Sequence, residues 1–171
     1  LLDGYASNLY DDWYFSAYCL LEDLSINGYY TGNVETSTTW NSNEQRMELE
    51  GELVRANDET DFVISKGHYY VNRPDNNLDF QFDFKNTDLT FVNAFMPEGL
   101  VLEGNTKGAV YMKGETSSPQ FNGSLFLNET AVQMDILNLE YTVNGEILIE
   151  PDMILLNGIP IKDKYGAEAF V

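Results

Sequence analysis

Apolar side chains recur at every second residue along this chain, and that spacing restricts its fold more than any other feature. "RMELEGELV" sets Met47, Leu49, Gly51 and Leu53 against Arg46, Glu48, Glu50 and Glu52. "LDFQFDF" sets Leu78, Phe80, Phe82 and Phe84 against Asp79, Gln81 and Asp83. "LNLEYTV" repeats the pattern with Leu137, Leu139, Tyr141 and Val143 opposite Asn138, Glu140 and Thr142. A helix would scatter each set around its circumference, whereas a strand collects it on one face. The chain is therefore expected to be all-β, built of strands with one apolar and one polar side.

Turn signals punctuate the runs: Asn27-Gly28, Asn57-Asp58, Pro74-Asp75-Asn76-Asn77, Asn122-Gly123, Asn144-Gly145 and Asn157-Gly158. Asn-Gly supplies the positive φ angles of tight hairpins, and Asn144-Gly145, between two alternating runs, is the best hairpin candidate. In "MKGETSSPQFNGSLFLNETAVQM", Gly114, Pro119 and Gly123 are expected to turn the chain. Many short antiparallel strands at this spacing predict curved sheets forming an open roll or a sandwich with an apolar interior. One stretch, "TDLTFVNAFMPEG", reads as a short helix near 88–96: Asp88 caps it, Leu89, Val92, Phe95 and Met96 share a face, and Pro97 with Gly99 ends it. It is expected to plug one end or edge of the sheet. The 171 residues suit one domain spanning 1–171, with a weak sub-boundary near 97–99.

Charge removes one class of partner. With 28 acidic and 9 basic residues the formal charge is -19, and phosphate binding depends on Lys and Arg displacing counterions, so nucleic acid is excluded. No run approaches a membrane span. The chain starts without Met and stops inside an apolar stretch, as expected of a piece cut from a longer protein.

Reactive groups are sparse. Cys19, in "FSAYCLLEDL", reads as a small hydrophobe. His68, the single histidine, has no second histidine for a metal and no nucleophile motif beside it. Most carboxylates fall on the polar parity of strands, which describes a solvated face better than a glycosidase pair. Asp11-Asp12 and the cluster Asn57-Asp58-Glu59-Thr60-Asp61 lack the spaced calcium-loop pattern and read as solvated turns. The sequons at Asn122 and Asn128 are short enough to arise by chance. Trp13, Tyr14, Phe15, Tyr29, Tyr30, Trp40, Tyr69 and Tyr70 fit a β-core, or, if exposed in a row, a sugar-stacking surface. No catalytic residue, metal site or cofactor is expected.

The second half resembles the TamB family of AsmA-like envelope proteins. Gly114, Pro119, Gly123, Leu125 and Leu127 fit its Gly-x(4)-Pro-x(3)-Gly-x-Leu-x-Leu spacing. Leu137, Asn138, Tyr141, Ile147, Ile149, Asp163 and Gly166 fit the strands and turn that follow. "INGYYTGNVETSTTW" and "GELVRANDETDFVISKGHYYV" are similar in style only. The family's membrane anchor and its terminal barrel-contacting segment are missing. The resemblance implies a folded β "taco" around an apolar groove, in a periplasmic segment of a parent chain anchored to the inner membrane. It implies no enzymatic activity, but phospholipid transport and support of outer-membrane biogenesis. The partners implied are phospholipid acyl chains or apolar client strands, and an outer-membrane barrel of the assembly family for the full-length protein.

On that reading the groove is lined by Phe80, Phe82, Phe84, Leu125, Leu127, Leu137, Leu139, Tyr141, Ile147 and Ile149. Burying lipid tails against such a surface needs no reactive group. Two other readings stand beside it. A carbohydrate-binding β-sandwich would present Trp40 or Tyr69-Tyr70 exposed beside Asp and Asn, and a glycosidase-like enzyme would need two carboxylates facing one cleft.

Overall fold

A computed structural model of the chain describes residues 1–8, 14–54, 62–135, 138–156 and 158–170, with the side chains of 62–65 excepted. The strands are β1 (Leu2–Ser7), β2 (Tyr14–Ile26), β3 (Tyr29–Asn41), β4 (Arg46–Val54), β5 (Phe62–Tyr70) and β6 (Leu78–Asp88), then β7 (Leu100–Glu115), β8 (Ser118–Met134), β9 (Leu139–Glu150), β10 (Met153–Leu156), β11 (Pro160–Asp163) and β12 (Glu168–Phe170). They form one open antiparallel sheet in chain order, β1 to β9, then β11 and β12, with β10 paired to β9 alone.

Register turns the alternation of single strands into continuous stripes. Leu49 faces Gly67, Gly67 faces Phe80, Phe80 faces Met112 and Met112 faces Phe121. A neighbouring stripe runs from Phe84 through Gly108, Leu125 and Ile147 to Leu156. Large residues thus sit beside glycines. A Cβ built on Gly67 would fall 2.7 Å from Phe80 Cα and Cδ1 and 2.6 Å from the Asp79 carbonyl oxygen, so the Phe80 ring occupies the space a side chain would need.

Irregularities in register lie on the same side of the second stripe in four strand pairs. They fall between Leu21 and Leu24 and between Leu24 and Ser25 in β2, between Phe84 and Thr87 in β6, between Glu103 and Asn105 in β7, and between Leu127 and Thr130 in β8. A bulged strand bends and twists more strongly. Aligned in this way they crease the sheet, and Asp23 and Glu129 accept positive φ angles of 53° and 44° at the crease.

The expected helix is present over Leu89–Phe95 as a 3-10 helix, and Asp88 caps it by accepting from the Thr90 amide at 2.8 Å. Met96, held extended before Pro97, ends it. The side chain of Asn93 acts as a short piece of strand: it donates to the Leu102 carbonyl and accepts from the Leu102 amide, both at 2.8 Å. The helix packs on β7 and also touches β3, four strands away. In a flat sheet those strands would lie about 19 Å apart, and a seven-residue 3-10 helix is about 14 Å long. The helix therefore lies across the mouth of a curved sheet. Asn27, in the β2–β3 turn, donates to the Ala94 carbonyl at 2.7 Å and ties the far wall to it.

Two turn expectations fail. Asn144-Gly145 lies inside β9 and Asn122-Gly123 inside β8, and the chain reverses instead at Pro151-Asp152 and at Thr116-Ser117. Both glycines are needed for space beneath a neighbour, not for reversal. Ile159 sits over Gly145, its Cγ2 3.1 Å from where a Cβ would be, and Val110 Cα lies 2.9 Å from the equivalent point at Gly123. Asn27-Gly28 does reverse the chain, with φ of 51° and 85°. The segment holding Asn57-Asp58 lies outside the described residues.

Gly67→Ala is expected to lower stability by about 1–3 kcal/mol, the usual cost of overpacking. Gly4→Ala, where the added carbon meets nothing closer than 3.5 Å, should change it little. Urea unfolding of both variants tests the contact, and equal midpoints would rule it out.

Candidate functional site

The apolar side of the sheet divides into a sealed part and an open part. In the sealed part Leu89 from the helix and Ile159 from the β10–β11 connection cover Val110, Leu125, Leu127, Val143 and Ile147. Leu102, Val132, Ile149 and Ile161 pack around this cluster. Thr106, fully buried nearby, donates its hydroxyl to the Phe126 carbonyl at 3.1 Å.

The open part is a groove of about 310 Å³. Its floor is Val34 and Thr36 of β3, Leu49 and Leu53 of β4, and Phe80, Phe82 and Phe84 of β6. Leu24 and Ile26 rise beyond the crease on one side, and Phe91 and Phe95 of the helix close one end. Glu50 and Glu52 contribute backbone, because strand alternation sends their side chains to the opposite face. Phe80 and Phe82 stack with ring centroids 6.4 Å apart and planes 15° from parallel. Phe95 remains 64% exposed at the rim. The groove's lining is almost wholly apolar side chains, so what enters it is held by contact and exclusion of water.

The residues expected to line a groove are thus split. Phe80, Phe82 and Phe84 lie along the open groove, while Leu125, Leu127 and Ile147 are buried in the sealed cluster with Ile149 against it. Tyr141 is half-buried and Leu139 exposed on β9. Leu137 lies outside the described residues. Sequence reasoning did not name Leu24, Ile26, Val34, Leu49, Leu53, Phe91 or Phe95 as lining. The alternation in β4 was a signal for Leu49 and Leu53. Nothing local marks Phe91, because the helical stripe read from sequence contains Leu89 and Val92, which face the sealed cluster.

The back of the sheet is polar and carries its own shallow hollow of about 450 Å³, bordered by Glu48, Lys66, His68, Asp79, Gln81, Tyr111 and Lys113. Lys113 pairs with Asp79 at 3.6 Å. At its end Glu48 accepts from Asn41 Nδ2 at 2.9 Å and from Arg46 Nη2 at 2.8 Å. These bonds hold the Glu48 carboxyl below its usual range, Asn41 contributing most and Arg46 next. The same pairing raises the Arg46 guanidinium, which also donates to the Tyr70 hydroxyl at 3.2 Å. Tyr70 is buried under Arg46 and Arg73, the latter 3.8 Å from its ring centre. Trp40 is also buried. Cys19 is a half-buried free thiol. Among the described residues no three His, Cys, Asp or Glu side chains gather as a metal site, and no helix is long and apolar enough to cross a membrane. Asp11-Asp12, the 57–61 cluster and Trp13 lie outside the described residues.

No family model matches the chain, and neither a curated protein nor a solved structure matches it.

Glu48 gives a pH prediction. Its native pKa is depressed, so its contribution is present above the ordinary value of 4.5 and is lost as pH falls through the lowered one. Glu48→Gln should therefore cost less than about 1 kcal/mol at pH 7, since the group is partly solvated. That deficit should shrink toward zero in strong acid. Urea midpoints of wild type and variant at neutral and acid pH check this, and a deficit independent of pH would contradict it.

Proposed function

We propose that this chain is a non-enzymatic carrier surface whose groove shields acyl chains of phospholipid, or apolar client strands, from water. One observation supports the reading most: an aromatic and aliphatic trough about 310 Å³ in volume stays open to solvent between β3, β4, β6 and the helix. That volume is at the lower end of ligand pockets, about 300–1,000 Å³. About eight methylenes taken from water would contribute about 6 kcal/mol, less the cost of immobilising the tail. Among the described lining residues none is placed to polarise or attack a bond, and none would select a headgroup. The second half resembles the TamB family, although the open groove lies in the first half; in a protein of that kind the segment would form one stretch of a longer trough between two membranes. In that setting the outer-membrane barrel partner belongs to the full-length protein.

The burial of Trp40 and Tyr70, 9% and 8% exposed, favours the carrier reading over a carbohydrate-binding surface built on those two rings.

A fluorescent acyl probe such as cis-parinaric acid, titrated into the chain, should bind saturably. Phe82→Gln and Phe95→Glu should each weaken it about tenfold or more by placing a polar group against the tail. Phe95 projects from the helix at the rim, so its variant keeps the fold, verifiable by circular dichroism. A probe that fails to bind wild type, or binds both variants as well as wild type, overturns the reading.

A further inference from the structure

Among the described residues, none that lines the groove is Lys, Arg or His. Most of the chain's cations are engaged elsewhere. Arg46 pairs with Glu44 and Glu48, Lys113 with Asp79 and Lys162 with Glu168. Arg73 lies over the Tyr70 ring and Lys107 over the Phe126 ring. Lys66 stands opposite Glu50 on the back of the sheet. A head emerging from the groove therefore meets no lining group able to neutralise a negative charge.

The row behind the middle of the groove carries one sign of charge. On the groove side Val34 stands opposite Leu53 and Thr36 opposite Gly51; between them, on the back, Glu35 stands opposite Glu52. The same row continues through Ile64 of β5 to Asp83 of β6. Its ends are Leu20 of β2 and Ala109 of β7, so it holds three acids and no base. Like charges directly opposite one another destabilise a sheet, and here they stand behind the groove floor. One layer of backbone separates this row from the groove, so its carboxylates lie about 10 Å from a bound chain, within a Debye length at about 0.1 M salt. The sheet between them screens less than water does, and the chain's charge of -19 adds to the same field.

We propose that the groove's occupant is an acyl chain on a head without net negative charge, amine-bearing heads being held most tightly and carboxylate heads least. The inference rests on the carrier reading and names the class of amphiphile that the site takes. The lining grips no head, so the head stays in water at the groove mouth. The sign of its charge then decides what the surrounding field does to it. A cationic head gains, an uncharged head is indifferent and an anionic head is repelled.

The test uses the whole chain and follows displacement of an uncharged fluorescent probe, N-phenyl-1-naphthylamine, at mildly alkaline pH. The competitors share one dodecyl tail and are kept below their micellar limits: dodecyltrimethylammonium, dodecyldimethylamine oxide and dodecanoate. At about 0.02 M ionic strength the cation should bind at least tenfold more tightly than dodecanoate, with the uncharged amine oxide between them. At about 0.3 M that gap should shrink severalfold. Glu35→Gln combined with Glu52→Gln leaves every lining side chain in place and removes a like-charge pair. It should narrow the low-salt gap about threefold while leaving the amine oxide unaffected. Phe82→Gln should weaken all three competitors together. A probe that fails to bind wild type overturns the carrier reading and this inference with it. With the probe bound, four results overturn the inference alone. These are equal displacement by all three heads at low salt, a gap that salt leaves unchanged, a gap that the double variant leaves unchanged, and a cation that binds without displacing the probe. The last would place the cation on the back carboxylates.

Discussion

A β-sheet satisfies its hydrogen bonds within its own plane, and both faces are left to the side chains. In a sandwich the second sheet covers the apolar face. Here the strands follow one another from β1 to β12 in a single layer, so among the described residues no second sheet does so. The apolar face must be covered by curling, by small inserted elements or by something from outside the sheet. Most of this structure follows from that shortage of cover. The helix supplies Leu89 and the β10–β11 connection supplies Ile159, and these two side chains close the cluster over β7 to β9. Over β3 to β6 the described residues supply no comparable cover, and the groove stays open.

Curling is encoded by small residues and by bulges acting together. Gly51, Gly67, Gly108 and Gly123 lie on the apolar parity among bulky neighbours, which lets rings and branched chains lean across the sheet. The aligned irregularities in β2, β6, β7 and β8 bend the same end of the sheet. Asn93 and Asn27 then anchor the helix to β7 on one side and to the β2–β3 turn on the other. The trough is thus held at one end by buried or half-buried amide bonds and left unobstructed along its middle.

Much of this was legible locally. Period-two alternation assigns β4, β6 and β9 to strands and separates their faces, and Asp88 with Pro97 brackets the helix. What parity cannot supply is which part of the apolar face is covered. Phe82 and Leu125 carry the same signal in their own strands, yet one borders open space and the other lies under Leu89 and Ile159. Those covers come from distant parts of the chain. Asn144-Gly145 misleads for the same reason. Within a short window it asks for a turn, and only Ile159, fourteen residues on, reveals that the glycine makes room in a continuous strand.

The acidity of the chain follows from the same shortage of cover. A one-layer sheet with an exposed greasy face and unpaired edges would stack on its own copies if neutral. Glu48, Glu50 and Glu52 on β4 and Asp79 and Asp83 on β6 load the back of the same strands whose fronts form the groove. Any approach of two grooves therefore also brings together two bodies of charge -19. Repulsion of this kind acts over about a Debye length, roughly 10 Å, and is non-specific, so it discourages a second copy without hindering a neutral tail. The charge on one face is therefore a condition for the other face remaining available.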